Sequence, residues 1–433
     1  MFPGEDIGRS MERAMFAFGN QILAGIRAIH EQEQAEQQAQ EQVPRPIRRR
    51  TSVRREHILA HQRLFEDYFA EHPQWGTPVF RRRFRMRREL FLQIVHTLEA
   101  RDEYFQWRED AAHRKGPSPL TKCTVALRQL AYGTTADMFD EYLHVGDTTG
   151  RECLVNFCAG VIDAFGATYL RKPNAQDCQD LLRMHDTVHD FPGMLGSIDC
   201  MHWEWKNCPA AWRGQFTSGY KGTHPTMILE AIVDHSLWIW HAHFGVAGSN
   251  NDINVLNSSS LFTEQCNGNG PVISFTANGR QHHMGYYLAD GIYPRWPVSL
   301  KTISCPTGAR REFFAAKQES ARKDVERGFG VLQARWGIVK GPARSWYRHH
   351  ITNVMYACII LHNMIIHDEG RAASQWSDDE AAPSAGHAAP TVVRGLPYGL
   401  NERLQAQESM RNQQAHLDLM NDMIEEVWTR SGR

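Results

Sequence analysis

The hydrophobic rhythm of the chain changes near Pro192. Before it, apolar residues recur at helical spacing. "ELFLQIVHTLEA" (89–100) is one such stretch, and "PSPLTKCTVALRQLAYG" (117–133) adds Ser118 and Pro119 as cap and first-turn residues and Gly133 as a stop. "DMFDEYLHVGDTTGRECLVNFCAGVIDAFGATYL" predicts a short helix, a turn and a longer helix opened by Thr149 and Glu152 at capping-box spacing. Past Pro192 the period becomes two. "GSIDCMHWEW" (196–205) reads as a buried strand. "TMILEAIVDHSLWIWHAHFGVAG" (226–248) reads as two strands joined at Asp234 to Ser236, the second with Trp238, Trp240, Ala242, Phe244 and Val246 on one face. "INVLNSSSLF" predicts a short helix, "MGYYLADGIYP" a fourth strand, and "RREFFAAKQESARKDVERGFGVLQARWG" a long helix with Val325, Phe329, Leu332 and Trp336 as its apolar stripe. "ITNVMYACIILHNMIIHDE" is apolar nearly all round, which marks a buried helix with His362 as a satisfied core histidine.

Three strands, a helix, a strand and then helices follow RNase H-like order and predict an α/β fold. The expectation is an RNase H-like nuclease domain with a mixed five-stranded sheet flanked by helices, one strand more than the pattern itself marks, preceded by an all-α helix-turn-helix-like domain. A chain of 433 residues exceeds one typical core. The expected divisions are a disordered Gln/Glu- and Arg-rich tail (1–56), the helical DNA-binding domain (57–190), the nuclease domain (191–369), a flexible linker (370–398) and a C-terminal helix (399–433) with Leu404, Met410, Leu417 and Met420 as contacts. The tail follows from "HEQEQAEQQAQEQ" (30–42), which cannot bury enough apolar surface to order itself.

Net charge is −1, yet "RPIRRRTSVRRE" (45–56) and "RRRFRMRREL" (81–90) hold six arginines each. Such blocks attract polyanions or serve as nuclear addresses, and the plainer alternative is a solvated arm. Nine cysteines with no CxxC pair favour a reduced compartment over a disulfide framework. No run is apolar and long enough for a membrane span, so no membrane partner is expected.

Asp199 lies in the middle of the first strand, where an unpartnered carboxylate would be costly. Asp252 follows the third strand, Asp290 ends the fourth, and Glu326 borders the apolar stripe of the long helix. Carboxylates that converge repel one another unless a cation neutralises them. Oxygen-only ligation suits Mg²⁺ or Mn²⁺, and two such ions can clamp an in-line phosphoryl displacement. Each acid alone has a simpler use, and Asp252 before "INVL" also fits a helix N-cap. Cys200, His202, Cys208 and His224 lack the spacing of a zinc site.

"GMLGSIDCMHWEWKNCP", "GSNNDINVLNSSSLF", "YYLADGIYPRWP", "SARKDVERGFGVLQARWGIV" and "NVMYACIILHNMIIHDE" resemble, in order, the signature blocks of Harbinger-type DDE transposases of the plant transposon protein branch. The similarity covers roughly residues 80 to 369. It implies Asp199, Asp290 and Glu326 as the catalytic, metal-binding triad and Asp252 as a fourth metal-site acid. Asp290 and Glu326 are 326 − 290 = 36 positions apart, as that pattern expects. It further implies a nuclear, divalent-metal enzyme that cuts DNA at transposon ends and joins the freed 3′-hydroxyl to target DNA, beside a Myb-like DNA-binding partner and as a possible homo-oligomer. Lys221, Arg322, Arg327 and Arg335, with Arg81, Arg82, Arg83 and Arg85, are candidate phosphate contacts, whose alternative use is salt bridging. Two other functions fit the same sequence: a domesticated DNA-binding regulator that no longer cuts, and a general two-metal nuclease with no transposition role.

Overall fold

The computed structural model describes residues 53–219, 222–268, 270–370 and 392–432. The expected tail up to residue 52, Lys221 and linker residues 371–391 lie outside them. From His57 the chain is helical: α1 (His57–Tyr68), α2 (Thr77–Phe84), α3 (Arg88–Arg101), α4 (Pro119–Tyr132), α5 (Asp147–Tyr169) and α6 (Ala175–His189). Ser118 caps α4 by accepting from Thr121 N–H, and Pro119 needs no partner for the N–H it lacks. The helix ends at Gly133 in the left-handed region (φ 64°), where a Cβ would stand 2.8 Å from the Gly337 carbonyl oxygen. α4 is buried on all sides rather than along one stripe. The Thr149/Glu152 capping box does not form, because α5 starts earlier, with Gly146 as its N-cap.

The sheet follows: β1 (Met194–Glu204), β2 (Thr226–Val233), β3 (Ile239–Ala247), then α7 (Asp252–Ser258), β4 (Tyr286–Ala289) and β5 (Ser299–Lys301). Its order is β3-β2-β1-β4-β5, antiparallel on one side of β1 and parallel on the other. This is a mixed five-stranded sheet flanked by helices. The single apolar face expected for β3 is broken by register shifts at Ile228/Leu229 and Ile232/Val233. Each shift inserts a residue and reverses the side-chain alternation. Phe244 therefore joins the core shared with the helices while Trp240 packs elsewhere.

α8 (Ala309–Arg335) crosses β1, and α9 (Arg348–Glu369) supports the helical layer. Val325, Phe329, Leu332 and Trp336 are buried as their spacing predicts. One continuous core runs from Leu64, Phe91 and Phe157 through Trp203, Trp205 and Leu229 to Leu332 and Ile359. The helical region and the sheet therefore share a hydrophobic interior.

Where one C-terminal helix is expected, two form: α10 (Leu400–Met410) and α11 (Gln413–Arg430). Asn412 breaks them apart, its side chain accepting from Gln414 and Ala415 N–H. The break turns Leu419, Met423 and Val427 into a second core with Phe314 and Tyr286, leaving Leu404 and Leu417 exposed. The end of the expected linker is also ordered, since Val393–Arg394 pairs with Pro271–Val272.

Candidate functional site

β1 and β4 run parallel with Ser197 beside Leu288. Two residues further along the same register, Asp199 comes level with Asp290, the first residue past β4. Alternate residues of a strand share a face. Ser197 Oγ donates to the Ala321 carbonyl of α8 at 3.3 Å, and Asp199 on the same face meets Arg322, one residue further along that helix.

Asp199 Oδ1 accepts from Cys200 N–H at 2.8 Å, and Oδ2 accepts from Arg322 Nη1 at 3.2 Å. The second terminal nitrogen of Arg322 lies 2.9 Å from Glu326 Oε1 and 2.7 Å from Glu319 Oε1. Arg322, itself buried, thus bridges the first strand's acid to the helix acid. Asp290 Oδ1 accepts from Ile292 N–H at 2.8 Å, which turns the chain at the end of β4. Asp252 is buried in the first turn of α7, but the N-cap is Asn251, which accepts from Asn254 N–H at 2.9 Å. The capping role open to Asp252 in the sequence therefore belongs to its neighbour.

Burial pushes the Asp199 carboxyl up to about 6, and the charges of Asp290 and Asp252 add to it against the Cys200 N–H and the Arg322 guanidinium. Asp199 senses Asp290 and Asp252, while Glu326 is linked to it through Arg322. Among the described residues, no three of the four acids offer one oxygen each that all lie within 4.8 Å of one another. The donor set is nevertheless all oxygen, with a carboxyl whose ionised form lacks sufficient positive charge. That chemistry fits a hard divalent cation.

The arginines carry more structure than the sequence suggests. Arg327 Nη1 donates to Asp324 at 2.8 Å. Arg335 is buried and donates to His362 Nδ1 at 2.9 Å, which removes it from the phosphate contacts. Arg81 pairs with Glu369, and Arg87 Nε donates to Asp368 at 2.7 Å, so this block fastens onto the end of α9. Arg83 donates to the Tyr68 hydroxyl and lies 4.7 Å over the Trp75 ring; Arg85, in the left-handed region, lies 5.4 Å over Tyr132. Arg82 is exposed. His202 Nδ1 meets Thr226 Oγ1 at 2.9 Å and Cys200 Sγ meets the Tyr293 hydroxyl at 3.6 Å.

A second polar cluster escaped the sequence altogether: His189 and His235 converge on one oxygen of Asp324. Separations of 135 and 89 residues leave no local motif to find it by.

Residues 167–373 match the family model described as plant transposon protein, a stretch that takes in the entire five-stranded sheet with α8 and α9. This makes the chain a transposase-derived α/β protein. The match and the relatives support the Harbinger-type, transposase-derived family that its motif blocks resemble. Residues 61–99 also match a domain of unknown function. Among curated relatives, Protein ALP1-like of Arabidopsis thaliana is 24% identical over 253 residues, covering 57% of this chain and 60% of the relative. The Arabidopsis thaliana protein antagonist of like heterochromatin protein 1 is 22% identical over 250 residues, covering 56% and 61%. The matched stretch thus spans about three fifths of these relatives. No solved structure matches. No helix among the described residues is long and apolar enough to cross a membrane.

Proposed function

We propose that the chain is a divalent-metal-dependent DNA nuclease and transposase with an RNase H-like sheet, acting in the nucleus on the ends of its own element. The supporting observation is that the parallel pairing of β1 with β4 brings Asp199 level with Asp290, within the stretch that matches the plant transposon protein family model. Asp199, Asp290 and Glu326, with Asp252 beside them, would hold Mg²⁺ or Mn²⁺. When bound, the two ions supply activation of the attacking oxygen and stabilisation of the leaving oxygen. The chain's own part is positional. β1 and β4 set two acids on adjacent strands, and α8 brings the third. Arg322 orients Asp199 and Glu326 and offsets part of their repulsion. The exposed Arg82 and the helical region around it serve as phosphate contacts in this reading, and a Myb-like partner or a second copy would add to the grip on DNA.

The bridge from Arg322 to Asp199 and Glu326 favours a second reading, a domesticated nuclear regulator that binds DNA without cutting it. The name of one relative, an antagonist of a heterochromatin protein, points the same way.

The two separate when the full chain is incubated with Mg²⁺ and labelled DNA carrying the element's ends. Cleavage and strand joining are expected, lost in Asp290→Asn while fold and DNA affinity persist. Binding without cleavage selects the regulator, and cleavage of DNA lacking the ends without joining selects a general nuclease.

A further inference from the structure

We infer that His189, His235 and Asp324 form a binding site for a borderline transition-metal ion of the Zn²⁺ type, separate from the acidic site and independent of the nuclease reading. The three come from different elements: the last residue of α6, the β2–β3 turn and the middle of α8. Their ligand atoms lie within 4.8 Å of one another. His189 Nε2 is 2.7 Å and His235 Nδ1 is 3.2 Å from the same oxygen, Asp324 Oδ2. The rings stand edge-on, with centroids 5.0 Å apart at 83°.

Two imidazoles aimed at a single carboxylate oxygen are what a tetrahedral ion also requires. Bonds of about 2.0–2.1 Å place neighbouring ligand atoms roughly 3.3 Å apart. His235 already stands near that separation, and His189 needs to move back by roughly half an ångström.

The surroundings hold the ligands in place. Asp324 Oδ1 is taken by Arg327 at 2.8 Å, which leaves Oδ2 for the ion. Fully buried His185 faces the Met194 carbonyl through Nδ1 at 3.2 Å, and its Nε2 accepts the backbone N–H of His235 at 3.3 Å. His185 is thus a support for the turn and not a ligand. Asp324 is buried, whereas His235 is 36% exposed on its side chain, so entry and a fourth, water position lie on the side of the turn. Two imidazoles and one carboxylate select Zn²⁺ and its neighbours over Mg²⁺, which prefers oxygen ligands throughout. A bound ion would pin the β2–β3 turn and α6 to α8, the helix that carries Arg322 and Glu326.

The test titrates the chelator-treated full chain with Zn²⁺ by calorimetry and with Co²⁺ by visible absorption. X-ray absorption on the wild-type zinc complex then identifies the ligand atoms. One saturable site is expected, with imidazole and oxygen neighbours, tetrahedral Co²⁺ bands and a higher melting temperature. His235→Ala, in a half-exposed turn, should weaken binding at least about tenfold, while Cys200→Ser and Cys305→Ser leave it unchanged. Absence of saturable binding, a sulfur-dominated absorption spectrum, or binding undiminished in a folded His235→Ala chain would each overturn the site. The wild-type spectrum decides the matter even if the variant does not fold.

Discussion

Arg322 and Asp199 face each other between α8 and β1, with Nη1 3.2 Å from Oδ2, and the same guanidinium reaches Glu326. Asp199 has little room to shed this dependence, because its other oxygen is committed to the Cys200 N–H. Replacing Arg322 with Met would leave Asp199 partly buried beside Asp290 and Asp252 with its main positive neighbour gone.

Removing one partner of a fully buried pair costs about 3–5 kcal/mol. Here Asp199 keeps 20% and Glu326 49% of side-chain exposure, so water takes up part of the loss. Arg322→Met should lower stability by about 1–3 kcal/mol in urea unfolding. Adding Asp199→Asn should return part of it, with a coupling on the order of 1 kcal/mol. Strict additivity of the two substitutions would mean that the contact does not hold the strand and helix acids together.

The layout of the sheet was legible because it rests on local patterns. The strands around Pro192 and the Val325 to Trp336 stripe are spaced by geometry that sequence records. What stayed hidden depends on contacts between distant segments. The arginines of 81–88 read as a phosphate-binding block, yet Arg81 and Arg87 answer Glu369 and Asp368 at the far end of α9. The face of β3 departs from simple alternation because bulges depend on how β2 pairs with it, which neither strand encodes alone. Asn251 and Asp252 are both good N-caps by type, and only the start of α7 decides between them.

The arginine block offers a second prediction because its members have separable uses. Arg83 packs against Tyr68 and Trp75, so its stem and charge both serve the fold. Arg83→Ala should lower stability by about 1–2 kcal/mol. Exposed Arg82 should behave in the opposite way: stability of Arg82→Ala within about 0.5 kcal/mol of the parent, with weaker DNA binding. If Arg82 neutralises one phosphate, the slope of log affinity against log salt should fall by about 0.9. An unchanged slope, measured by fluorescence anisotropy over a salt series, would remove Arg82 from the DNA interface.

His362 is one of the buried histidines expected to weaken the fold in acid. Its Nδ1 accepts from Arg335 at 2.9 Å, so Nε2 carries the proton and donates to the Leu237 carbonyl at 2.8 Å. Burial, with the Arg335 charge beside it, pushes the imidazole down to about 3. An unfolded histidine takes its proton near 6.5, so between those values the unfolded chain binds a proton that the folded one refuses. The stabilisation is complete above about 6.5 and is lost as pH falls toward about 3, at up to about 1.4 kcal/mol per pH unit. Glutamine can still donate to Leu237 and accept from Arg335 without titrating. His362→Gln should therefore cost about 1–2 kcal/mol near neutral pH and flatten the decline of the urea midpoint between about pH 6.5 and about pH 4. If the variant loses stability with acid as steeply as the parent, the acid limit belongs to other groups, and the Arg335–His362–Leu237 chain is a packing feature alone.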